Sequence, residues 1–95
     1  MKLFERSDEY QTKVFVDALD NDVRFDAQLV CVAHGRKLKV YCEDTGTYVQ
    51  FPTSIRRIGR RFIADVVKSR RTNGNIFYRA YRSSIRDAET GEVVS

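Results

Sequence analysis

The residues best equipped for chemistry lie between positions 52 and 86, where Lys and Arg number ten and Asp65 is the only acid. One cluster is Arg56, Arg57, Arg60 and Arg61. The other is Lys68, Arg70, Arg71, Arg79 and Arg82, interleaved with Phe77 and Tyr78. Guanidinium and ammonium groups neutralise phosphates and release condensed counterions, while aromatic rings stack on unpaired bases or wedge between base steps. The rest of the chain is acidic on balance: residues 1–51 hold seven bases and nine acids, and residues 87–95 hold three acids. Charge segregated in this way points to a polyanion or an acidic partner. The plainer alternative is a solvated hairpin that protects a sheet edge, with Phe77 and Tyr78 covering the core. Ten bases against one acid exceeds what edge protection requires.

Other chemistries have less to work with. Cys31, His34 and Cys42 suggest a metal, but a structural zinc site needs four ligands at short paired spacings, and there is neither a Cys-x-x-Cys nor a second His. Both cysteines fall on an apolar strand face and read as buried thiols. Asp17, Asp20, Asp22 and Asp26 cluster around one turn without a partner base and without the ordered spacing of a calcium loop. No nucleophile elbow or phosphate-binding glycine loop is present. The expectation is a protein that is not an enzyme and needs no cofactor. Lys37, Lys39, Tyr41, Tyr48 and Gln50 fall on one strand face; that pattern suits a single-strand platform or, more simply, the wet face of a half-buried sheet or a second core face covered by the N-terminal segment.

The elements that must position these residues follow from the patterning. With 95 residues, 42% of them apolar and 12% aromatic, the chain is expected to fold as a single domain over residues 1–95. It has no apolar run of membrane-spanning length, and Met1 to Arg6 lacks the apolar core of a signal peptide, so a cytoplasmic location is expected. Ser7-Asp8-Glu9 can start a helix with Tyr10, Val14 and Ala18 on one face, but the β-branched and aromatic run Lys13-Val14-Phe15-Val16 favours a strand over 13–19. Asp20-Asn21-Asp22 then forms a turn.

From Val23 the alternation places Val23, Phe25, Ala27, Leu29 and Cys31 on one face. A His34-Gly35 loop would set Cys31 against Leu38 and Leu29 against Val40. An even-length turn through 43–46 would set Val49 against Cys42. Pro52 ends that strand, and Ser54 begins a short helical turn near residues 54–59. One long helix over 55–68 is the competing reading, but Gly59 and the run from Phe62 to Val67 favour a strand. Asn73-Gly74 predicts a two-residue hairpin loop, with Phe62 facing Ile85, Val66 facing Tyr81 and Asp65 facing Arg82. Val93-Val94 adds a short edge strand or frays.

The expected fold is therefore mainly β: a small antiparallel six-stranded meander that closes into a barrel or roll. The expected function is non-enzymatic binding of DNA or RNA through the basic hairpin and the arginine cluster, with Phe77 and Tyr78 stacking. The alternative is a small protein-binding inhibitor or adaptor, of the mobile-element or phage type, that docks on an acidic or nucleic-acid-handling protein.

Overall fold

The structure, a computed structural model, describes residues 6–94. It is mainly β: helix α1 (Asp8–Asp17) followed by strands β1 (Val23–His34), β2 (Lys37–Cys42), β3 (Thr47–Val49), β4 (Arg61–Arg70), β5 (Ile76–Ala80) and β6 (Arg86–Asp87). The antiparallel sheet has the order β3-β2-β1-β4-β5, with β6 also paired to β4. Pairing β1 with β4 breaks the simple meander expected from sequence. The sheet does not close into a barrel; its edges meet at one parallel bridge, Gln50 to Arg79. Among the described residues no helix is long and apolar enough to cross a membrane.

The strand expected over 13–19 is instead part of α1. The Ser7 hydroxyl accepts from the Tyr10 N–H at 3.1 Å, and Asp8 and Glu9 place negative charge at the positive end of the helix. Helical spacing then brings Val14 and Ala18 onto Val67, with Tyr10, Val23, Phe25 and Tyr81 around them. This burial outweighs the β preference of Val14-Phe15-Val16, which is itself context-dependent. Phe15 and Val16 fall on the outer side and remain exposed.

The main core, inside the curl, comprises Ala27, Leu29 and Cys31 of β1, Val40 and Cys42 of β2, Val49, Phe51, Phe62, Ala64, Val66, Ala80 and Ile85. Cys31 and Cys42 are buried free thiols within it. Val23 and Phe25 do not share this face. Two β1 residues, Phe25 and Asp26, oppose Asp65 alone between the pairs Arg24–Val66 and Ala27–Ala64, and Asp26 is left-handed at φ 55°. This bulge turns the start of β1 toward the helix. Strand β4, covered by the core on one side and α1 on the other, is buried continuously from Phe62 to Val67 apart from partly exposed Ile63. Burying Phe62 alone is worth about 1.5–3 kcal/mol.

The hairpin registers correct the sequence reading in two ways. The β1–β2 loop is Gly35-Arg36, so Cys31 faces Val40 and Leu29 faces Cys42, while β2–β3 sets Val40 against Val49. Both slip by two residues, which preserves the faces. The β4–β5 hairpin slips by one. Arg71 and Asn75 close a three-residue loop in which Asn73-Gly74 takes the second and third places, Gly74 being left-handed at φ 91°. Val66 therefore faces Ala80 and Lys68 faces Tyr78, while Ser69 faces Phe77. After Ala80 the strand is broken by a 3₁₀ turn, Arg82–Ser84, before β6 pairs Ile63 with Arg86. The helical turn expected near 54–59 is a 3₁₀ turn over Thr53–Ile55. Beyond it, Val93 bridges Arg86 as a short edge.

Asp65 does not face Arg82. It is fully buried and accepts from Arg6 Nε at 3.2 Å and Nη2 at 3.0 Å, from the Tyr10 hydroxyl at 2.6 Å and from the bulge N–H of Asp26 at 3.0 Å. Its own N–H donates to Ser84 Oγ at 2.8 Å. The lone acid of the basic segment thus ties α1 to the sheet. Burial raises the Tyr10 hydroxyl pKa, and donation to Asp65 raises it further.

Asp26 carries the second tier of this network, accepting from Arg6 and from Arg86 Nη2, the latter at 2.6 Å. Burial disfavours its ion, but the Arg86 and Arg6 bonds outweigh this and hold the carboxyl below its usual range. A depressed folded-state pKa contributes stability that is fully present above the unfolded value of about 3.9 and is lost as pH falls through the folded one. Denaturation midpoints should therefore drop on acidification below about pH 4. Asp26→Asn, which tolerates the left-handed backbone, should show a shallower acid loss than the parent chain.

Candidate functional site

The seam where the sheet edges meet gathers most of the unneutralised positive charge. Gln50, which follows β3, bonds across to β5: its N–H donates to Tyr78 O at 2.9 Å and its carbonyl accepts from Ala80 N at 3.0 Å. Along this junction lie three shallow hollows of about 350, 280 and 330 Å³. Adjacent hollows share Gln50, Thr53 or Arg56, so they form one strip. Six cationic side chains line it, Lys37, Lys39, Arg56, Arg71, Arg79 and Arg82, and among the described residues no carboxylate does. Among the described residues none of the six has a carboxylate at ion-pairing distance.

Each expected site residue has a definite place. Arg71 and Phe77 line the middle hollow, with the Arg71 guanidinium 4.1 Å from the Phe77 ring centre. Arg70 is exposed beside them at the hairpin tip, and Lys68 is half-buried. Arg79 and Arg82 line the outer hollow; Arg79 also donates to Ser69 Oγ at 3.0 Å. Arg56 is half-buried and donates to Leu38 O at 2.8 Å and Phe51 O at 2.6 Å, strapping the Thr53–Ile55 turn to β2. Among the described residues its charge meets carbonyl dipoles and no carboxylate, so it stays unneutralised.

The remaining members are committed elsewhere. Arg60 pairs with Asp87 at 3.1 Å and covers Phe62, and Arg61 approaches Glu43 at 3.8 Å. Arg57 is exposed and lines none of the three hollows. Tyr78 donates its hydroxyl to Asp22 at 2.7 Å and packs on the core, and its partly buried side chain also lines the middle hollow. The hydrogen bond from Tyr78, reinforced by Arg24, lowers the Asp22 pKa, and the same bond raises that of Tyr78.

Of the platform residues that sequence reasoning set aside, Lys37, Lys39, Tyr48 and Gln50 line the strip, and Tyr41 stands edge-on to Tyr48 without lining any of the three hollows. Lys39 and Tyr48 line the hollow that also holds Arg71 and Phe77. Tyr48 is 39% exposed, with Tyr41 and His34 edge-on at 5.7 and 5.3 Å and the Lys39 ammonium 5.1 Å from its centre. Strand parity placed Lys39 and Tyr48 on one face correctly. What sequence did not disclose is the Gln50–Arg79 junction, which brings that face alongside β5.

The fold is mainly β, and among the described residues its seam presents a basic surface without carboxylates that bears partly exposed rings. A scan against protein-family models matched none, and searches of curated proteins and of solved structures found no match.

Proposed function

We propose that the protein is a non-enzymatic nucleic-acid-binding domain, acting in the cytoplasm, whose basic seam holds the phosphate backbone of DNA or RNA. In this reading the curled sheet works as a half-open barrel and needs no cofactor. The observation that carries it is the strip of six cations without a carboxylate. Structural arginines are normally neutralised or dispersed, as Arg60, Arg61 and Arg86 are here. Concentrating the unneutralised ones along one junction raises the local concentration of a polyanion and leaves its release dependent on salt. Phosphate contacts of this kind position a strand without reading its sequence, so little sequence preference is expected.

The test is fluorescence anisotropy with labelled DNA and RNA oligonucleotides of about twelve nucleotides, within the range of about 4–16 that one small β domain covers. Dissociation constants of about 10⁻⁴–10⁻⁶ M at physiological salt, similar across sequences, are the expected result. Absence of binding to either nucleic acid even at low salt would overturn the reading.

A second reading is favoured by a different surface. Helix α1 exposes Asp8 and Glu9 in its first turn and Val16 and Asp17 at its other end, Val16 being 77% exposed. An exposed helix that carries both acids and an apolar side chain suits a protein partner, and the two signs of charge would steer its approach. Retention of one stoichiometric protein in a pull-down after nuclease treatment, together with no oligonucleotide binding, would favour this reading over the first.

A further inference from the structure

The middle hollow of the seam repeats one arrangement on its two sides. On the β2–β3 side the Lys39 ammonium lies 5.1 Å from the Tyr48 ring centre; on the β5 side the Arg71 guanidinium lies 4.1 Å from that of Phe77. Both rings and both cations line the same space of about 280 Å³. Neither cation is paired with a carboxylate among the described residues. A solvated hairpin flank has no need for two ring-and-cation pairs lining one hollow. Tyr48 is also propped by the edges of Tyr41 and His34, which limits the rotamer freedom it would lose on binding a ligand.

The chemistry that answers this arrangement alternates flat π-faces with anionic groups. An unpaired strand does so, base after phosphate. A duplex hides its base faces inside the stack, so the rings reach them only at the cost of unstacking a base step. We infer that the hollow between Tyr48 and Phe77 is a site for unpaired nucleobases of single-stranded DNA or RNA, each ring stacking one base while Lys39 and Arg71 hold the adjoining phosphates. The half-buried charge of Arg56 supplies a fixed positive field beneath them. This rests on the reading of the seam as a nucleic-acid surface and narrows it to single strands.

The experiment compares four labelled probes of equal length by anisotropy: oligo-dT, oligo-U, a DNA duplex and an abasic deoxyribose-phosphate oligomer. Oligo-dT and oligo-U should bind about tenfold more tightly than the duplex or the abasic chain. Tyr48→Ala should weaken oligo-dT and oligo-U binding about tenfold and leave the abasic chain unchanged, while Tyr48→Phe retains parent affinity. Phe77→Leu, which keeps an apolar side chain on the hairpin, should repeat the loss independently. Equal affinity for duplex, abasic and single-stranded probes, or single-strand binding untouched by both ring variants, would overturn the single-strand inference while leaving polyanion binding intact. Failure of all four probes to bind would instead remove the underlying reading, and this inference with it.

Discussion

Replacing Asp65 by alanine is expected to lower the unfolding free energy by about 3–5 kcal/mol, the cost of breaking a buried charge pair by removing one partner. The substitution removes at once the shared acceptor of two Arg6 bonds, the Tyr10 hydroxyl and the bulge N–H of Asp26, leaving Arg6 its bond to Asp26. For a chain of this length each kcal/mol moves the melting midpoint by about 4–8 °C, so a fall of at least about 12 °C is expected. Asp65→Asn keeps the volume and an acceptor oxygen but loses the charge, and should fall between alanine and the parent. Arg82→Ala provides the contrast. Arg82 is exposed and has no carboxylate partner among the described residues, so the loss should stay within about 0.5 kcal/mol. Urea denaturation of the three variants checks both statements. An Asp65→Ala loss below about 1 kcal/mol, the scale of an exposed cross-strand pair, would contradict the latch.

The largest effect on binding is expected from reversing charge at the hairpin tip. Arg70 and Arg71 are both exposed, and only Arg71 lines the seam, where it covers Phe77. The double variant Arg70→Glu/Arg71→Glu replaces two cations by two anions, which repel phosphate. Affinity for a short oligonucleotide at low salt should fall by about 100-fold or more, since each lost contact also forfeits counterion release. Stability should change by no more than about 0.5 kcal/mol because neither side chain is buried. Anisotropy titration paired with a urea melt checks the two expectations together. Unchanged affinity would show that the tip lies outside the binding surface.

Much of the sheet was legible in the sequence because the period of two survives errors of even length. Leu29, Cys31, Val40, Cys42 and Val49 fall on the core face as their alternation requires, although both hairpins there are displaced by two residues. Asn73-Gly74 marked a real turn but misled on its length: a left-handed glycine also suits the last place of a three-residue loop, and the odd length moves Phe77 and Arg79 to the outer face. The helix was missed because local β preference in Val14-Phe15-Val16 competes with a cap at Ser7, and only the apolar patch around Val67 decides between them. That patch exists because the Asp26 bulge turns Val23 and Phe25 toward the helix, an irregularity with no local sequence signal. The charge excess was readable residue by residue. Its division into Arg60 and Arg61, which pair with Asp87 and Glu43, and a strip that pairs with no acid among the described residues depends on which edges meet.

The central claim is that the unneutralised seam binds nucleic acid through phosphate contacts, and the salt dependence of that binding tests it most directly. With four to six of the seam cations engaging a single strand, log affinity should fall linearly with log salt, with a slope of about −3 to −4. Neutralising one of them by Arg71→Gln or Lys39→Gln should make the slope shallower by about 0.7. A slope near zero, or affinity that does not respond to neutralising the seam, would contradict the account.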